Sequence, residues 1–201
     1  RFQVPGESPG YYDEQGKSLK RFFLRSPLQF NPQISSGFSR RRLHPVLRTY
    51  RPHWGVDYRA PTGSPVVTVA NGVVVSAGMS GGSGRMVRIK HANGYETYYL
   101  HLSSIAKGIR RGTRVTQGSL IGRGGSTGLA TGPHLDYRIR KNGSWVNPVT
   151  EHRNMPPGEP IPTPYLGAFE TARDLALSRL FDSTSLHSAI SRDFLTKRPT
   201  G

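Results

Sequence analysis

From Ile34 to Pro148 no stretch holds a helical hydrophobic period, and turn-forming residues interrupt the chain at short spacing. That pattern confines the segment to short strands joined by tight turns. Pro65–Val69 and Gly72–Ala77 read as strands around an Asn71–Gly72 turn. Arg85–Lys90 alternates, with Val87 and Ile89 directed inward and Arg88 and Lys90 outward. Asn93–Gly94 closes a hairpin onto Tyr95–His101, a run rich in aromatic and β-branched residues. Arg114–Thr116 and Ser119–Gly122 form a further short pair about Gln117–Gly118. His134–Arg140 is the last clear strand, ended by Asn142–Gly143. The expected fold is mainly β, an antiparallel β-sheet core with a C-terminal amphipathic helix.

The flanks differ in character. Residues 1–33 are a lead-in segment whose basic stretch Lys17–Arg25 fits an edge strand or hairpin. The β domain is expected over 34–150, followed by a proline-rich connector over 151–166 that cannot form a core. Leu166, Phe169, Ala172, Ala176 and Leu180 recur at helical spacing, so a helix is expected over 167–181. Residues 182–201, with their Ser, Thr and basic side chains, read as a mobile tail. The chain begins at Arg1 rather than Met, so a fragment is expected, with any signal peptide or anchor upstream.

The absence of cysteine excludes disulfides, thiolate zinc fingers and Cys nucleophiles, and leaves His and carboxylates as the available metal ligands. No apolar run approaches the roughly 20 residues of a membrane span. The net charge of +16 calls for an anionic partner, and nucleic acid, acidic lipid or acidic cell-wall polymer all fit. Between Gln15 and Thr150 the only acidic residues are Asp57, Glu96 and Asp136. Two of these stand beside histidines at ligand-like spacing, in His53-x-x-x-Asp57 and His134-x-Asp136.

Each cluster has an ordinary alternative. A turn at Gly55 could bring His53 and Asp57 together on one ion, or they could be a surface His and an Asp paired with Arg51 or Arg59. On a strand His134 and Asp136 project to one face with Leu135 behind them, which also describes a polar edge strand. His101 ends a face shared with Tyr95, Thr97 and Tyr99, suited to a groove floor or to a half-buried histidine. Together the clusters supply three imidazoles and two carboxylates, a donor set that suits a catalytic zinc site with an open position.

In order along the chain stand Ser35-Ser-Gly-Phe38, Leu43-His-Pro-Val46, His53-x-Gly-x-Asp57, Ala60-Pro-x-Gly63, Ala70-x-Gly72, Tyr99-Leu-His-Leu-Ser103 and Gly125-Ser-Thr-Gly-x-x-Thr-Gly-Pro-His134. This series resembles the lysostaphin-type zinc metallopeptidases, endopeptidases that cut peptidoglycan cross-links. The resemblance implies a lysostaphin-like fold with a duplicated hybrid β motif, Zn²⁺ as cofactor and peptidoglycan as partner. It implies His53 and Asp57 as zinc ligands, and His101 and His134 as catalytic histidines that handle the attacking water and the oxyanion. The family's third ligand is the second His of a His-x-His pair, and Asp136 stands in its place. An Asp binds zinc at nearly the same bond length, roughly 2.0–2.2 Å. Two carboxylates would leave the ion formally neutral and its water less acidified. On this reading Asp136→His retains or raises activity.

The lead-in, with Tyr11–Lys17, looks like that of Gram-negative periplasmic members, which implies a place in the bacterial envelope, periplasmic or secreted. The basic surface would then hold anionic envelope polymers. A wall-binding or hydrolase-regulating module with impaired catalysis is the alternative, and no motif of a specific nucleic-acid reader is present. His44 is expected to be structural, His91 to sit in a hairpin, and His152 and His187 to be solvated. Trp54, Tyr58 and Trp145 could line a groove, although aromatics more often pack in a core. Gly81–Gly84 and Gly124–Gly125 lack the Lys-Ser/Thr ending of a phosphate loop.

Overall fold

The computed structural model describes residues 1–6, 9–19, 22–43, 48–155, 158 and 160–180. His44, His187 and the segment 182–201 lie outside the described residues. The chain divides into two compact units, 22–155 and a second built from 1–21 with 156 onward.

Among the described residues, every strand pairing in the larger unit is antiparallel. Its strands are β1 (Ile34–Ser36), β2 (Ser39–Leu43), β3 (Tyr50–His53), β4 (Gly55–Arg59), β5 (Pro65–Val67), β6 (Gly72–Met79), β7 (Arg85–Lys90), β8 (Tyr95–Leu102), β9 (Ser104–Ile105), β10 (Arg114–Val115), β11 (Leu120–Arg123), β12 (His134–Lys141) and β13 (Ser144–Val146). The main sheet runs β1-β4-β12-β8-β7-β6-β10, with β13 also on β12. A second sheet runs β5-β11-β9, and β2 pairs with β3. Between β7 and β8, Asn93 and Gly94 both take positive φ (55° and 72°), the mirror-image turn that matches strand twist. Val87, Ile89, Tyr99, Leu135, Tyr137 and Ile139 face one core, while Arg88 and Lys90 face outward.

Two expected hairpins are not hairpins. The strands either side of Asn71–Gly72 enter different sheets, β5 pairing with β11 and β6 with β7 and β10. The strands about Gln117–Gly118 part in the same way. Instead the two turns bond each other: Thr68 N–H donates to Ser119 O (3.0 Å), Gly118 N–H to Thr68 O (2.9 Å) and Gln117 N–H to Asn71 Oδ1 (2.8 Å). Local turn chemistry marked the reversals correctly, but long-range pairing chose the partners.

The expected boundaries also move. Phe22–Arg25 forms no strand, because Phe23 is driven into the core against His91, Tyr95 and His152 (ring centroids 5.2, 5.3 and 5.8 Å). The β unit therefore starts at Phe22 rather than Ile34. At the other end the connector is preceded by a helix, α1 (Pro148–Asn154), whose Asn147 side chain caps Val149 N–H and whose first position is proline. This helix buries His152 beneath Tyr137, so His152 is not solvated. In the smaller unit a second helix, α2, spans 166–180, and its Phe169 packs edge-on against Phe2 and Tyr12. The lead-in and C-terminal helix thus form one unit instead of separate flanks. Among the described residues no helix is long and apolar enough to cross a membrane.

Candidate metal centre

The site is built where β4 and β12 run side by side. In their register Asp136 lies opposite Asp57 and Arg138 opposite Gly55. Paired residues share a face, so two carboxylates meet on one side of the sheet while Leu135 and Tyr137 enter the core on the other. Both are buried, at 7% and 2% exposure. Like charges opposed at this depth demand a positive partner.

His53 ends β3, and the chain breaks at Trp54, which packs on Phe38 before β4 begins. This break, rather than a turn at Gly55, brings His53 and Asp57 together. His53 Nδ1 is 2.9 Å from the Gly37 carbonyl. A carbonyl only accepts, so Nδ1 carries a proton and the neutral ring keeps a bare lone pair on Nε2. That lone pair faces Asp57 Oδ1 at 3.0 Å and Asp136 Oδ1 at 3.7 Å. His53 Nε2 and Asp57 Oδ1 are buried and lack a hydrogen-bond partner. Three electron-rich atoms aimed at one point are stable only with a cation or proton between them. The proton case is visible in the His53 pKa: burial works against the charged ring, but Asp136 and Asp57 outweigh it and raise the value to about 9. Each of the three residues offers one ligand atom within 4.8 Å of the others, so the set fits a divalent cation.

The other two histidines repeat the pattern. His101 Nδ1 donates to Thr127 O (2.7 Å) and His134 Nδ1 to Gly132 O (2.8 Å). Their Nε2 atoms then point inward, 4.0 Å from Asp136 Oδ2 and from Asp57 Oδ1 respectively. The rings lie 4.8 Å apart. Burial pushes the His101 pKa down, so its imidazole stays neutral. His101 reaches the site because its backbone turns left-handed (φ 60°) and leaves strand alternation. Tyr95, Thr97 and Tyr99 are consequently core residues, not a groove floor.

All five residues line one open cavity of about 820 Å³, together with Arg42, Arg51, Arg59 and Arg138. Arg51 and Arg59 were the partners expected for Asp57, whereas Arg42 and Arg138 were not foreseen. Arg42 Nη1 holds Ser36 Oγ at 2.7 Å and its Nη2 approaches Asp57 Oδ2 at 3.4 Å. Arg138 binds Asp136 more fully, Nε at 3.0 and 3.1 Å from the two oxygens and Nη2 at 2.6 Å from Oδ2. Burial alone would raise the Asp136 pKa, but His53 and Arg138 hold it below the carboxylate range. The signal was present in the sequence: Arg138 follows Asp136 by two, on the same strand face. Glu96 stands apart, held by Arg88 at 2.9 Å. Trp54, Tyr58 and Trp145 do not line the cavity; Tyr58 is core and Trp145 packs on Tyr98. His91 is buried between Asn71 O and Thr97 Oγ1, both at 2.7 Å.

Residues 51–148 match the family model for peptidase family M23. The peptidoglycan DD-endopeptidase ShyC of Vibrio cholerae serotype O1 is 46% identical over 140 residues, covering 70% of this chain and 32% of ShyC. The chain thus spans about a third of the length of that curated relative. A zinc-containing peptidase from Vibrio cholerae aligns with a TM-score of 0.60 at 36% identity, over 70% of this chain and 43% of the other. The catalytic domain of the antimicrobial peptidase lysostaphin from Staphylococcus simulans aligns at 0.54 and 28% identity, over 62% of this chain and 94% of its own.

Proposed function

The chain belongs to peptidase family M23, and on that premise we propose that it is a zinc-dependent endopeptidase that hydrolyses peptide cross-links of bacterial peptidoglycan. The observation that carries this reading is the convergence of three imidazole Nε2 atoms and two buried carboxylates in one open cavity. His53 Nε2, Asp57 and Asp136 Oδ1 would hold the ion. When bound, zinc supplies a Lewis acid that polarises the amide carbonyl and acidifies a water. His101, neutral and fixed through Thr127 O, offers Nε2 as the proton acceptor. His101 would then return that proton to the leaving amine, and His134, fixed through Gly132 O and facing the same space, would stabilise the oxyanion when its Nε2 carries a proton.

ShyC is named for cutting peptidoglycan, which supports the substrate class. The same reading puts the chain in the bacterial envelope, where its +16 charge would hold it on anionic wall polymers. Metal analysis of the purified chain and muropeptide release from sacculi test the proposal. A chain without bound metal that releases nothing, while a control hydrolase digests the same sacculi, refutes it. The guanidinium on Asp136 favours a second reading, a wall-binding module in which Arg138 occupies the third ligand and catalysis is lost. That module would bind sacculi equally well with Asp136 or Asp57 replaced by Ala.

A further inference from the structure

Arg138 is the residue the metal reading leaves unexplained. Its fork takes both oxygens of Asp136, yet Oδ1 keeps one lone pair and faces His53 Nε2 at 3.7 Å. The pair lies over Gly55, where a Cβ would stand 2.5 Å from Asp136 Oδ1 and 2.6 Å from Arg138 Cγ. The backbone opposite is thus a glycine where the ion pair needs room. Formal charge gives the pair a purpose. A dication with Asp57 and Asp136 sums to zero, and the adjacent guanidinium returns one positive charge. One carboxylate with neutral imidazoles, the ligand set of the resembling family, leaves that same charge. A neutral His ligand is oriented by a carbonyl on its Nδ1; a carboxylate has no such handle, and the Arg138 fork serves as one.

We propose that Asp136 and Arg138 act as a single ligand unit, in which Asp136 supplies the donor atom and Arg138 is a positioning residue that orients the carboxylate and offsets its charge. The inference rests on the metal reading above. It reverses the expectation for Asp136→His: the new imidazole would leave a part-buried guanidinium unpaired beside a dication.

The test is a double-mutant cycle in Zn²⁺ affinity, measured by calorimetry on the chelator-stripped full chain, with thermal melts establishing that each variant is folded. Asp136→His alone should weaken Zn²⁺ binding at least tenfold. The same change made on top of Arg138→Ser should cost less than threefold. Should Asp136→His fail to fold, Asp136→Asn takes its place, with the same sign of coupling expected. Equal effects of the Asp136 change with and without Arg138 overturn the inference while leaving the metal reading intact. A parent chain that binds no Zn²⁺ overturns both.

Discussion

At the scale of single residues, the proposed function separates ion holding from proton handling. His53→Ala and Asp57→Ala each remove a buried donor aimed at the cation position, and should abolish both metal content and muropeptide release. His101→Ala and His134→Ala should leave zinc content near one per chain while lowering kcat by about 10²–10⁴, the range for a lost general acid or base. Loss of zinc in either variant would move that histidine into the ligand set. Gly55→Ala is the sharpest steric test. Its Cβ would lie 2.7 Å from Tyr137 O, a backbone atom that cannot rotate away, besides striking Asp136 and Arg138. A destabilisation of about 1–3 kcal/mol is expected by denaturant titration, with weakened zinc uptake. His53, Asp57, His134 and Asp136 stood out in the sequence because they pair histidines with rare carboxylates in so basic a chain, and His101 came from its strand face and the family resemblance. For Arg138 the only signal was its place two residues after Asp136 on the same strand face, which one arginine among many does not make stand out until the carboxylate is located.

At the scale of elements, the β4–β12 register determines which side chains meet, and the loop after β11 aims His101. Thr127 ties that loop to β8: its hydroxyl donates to Leu102 O (2.8 Å) and accepts from Arg85 N–H (2.8 Å), while its carbonyl takes His101 Nδ1. Thr127→Val keeps the shape and strands both backbone groups, so a loss of about 1–3 kcal/mol is expected by thermal or urea melting. Catalysis should fall further than stability alone explains, seen as a lower kcat at a temperature where the variant is fully folded. An unchanged kcat would show that His101 is aimed by something else. Strand identity was readable from alternation and turn residues. Strand partnership was not: β5 and β6 follow one another in sequence yet enter different sheets, because the turns that flank them bond across the molecule.

At the scale of the whole molecule, titration and charge set the working range. Burial lowers the pKa of His91 and of His152 to about 4. Between that value and the unfolded value of about 6.5 the unfolded chain binds more protons, so stability falls as pH falls through this window. Each histidine accounts for about 3 kcal/mol at most. The His53 shift acts above pH 6.5 and does not offset the loss. Urea melts from pH 7 to pH 4 should show the decline, and His152→Phe, set among Phe23 and Tyr137, should flatten it; a pH-independent midpoint would contradict the buried neutral assignment. The net charge of +16 predicts that retention on sacculi weakens steeply between 50 and 500 mM salt, measured by pull-down. Composition and local pattern sufficed for the β class, the reversals, the C-terminal helix and the His–Asp pairs of the candidate site, because periodicity and rare residue types are properties of neighbours along the chain. Sheet partners, the burial of Phe23 and His152, the left-handed step at His101 and the Asp136–Arg138 clamp emerged only on folding, because each depends on atoms distant in sequence that compete for the same buried space and the same few hydrogen bonds.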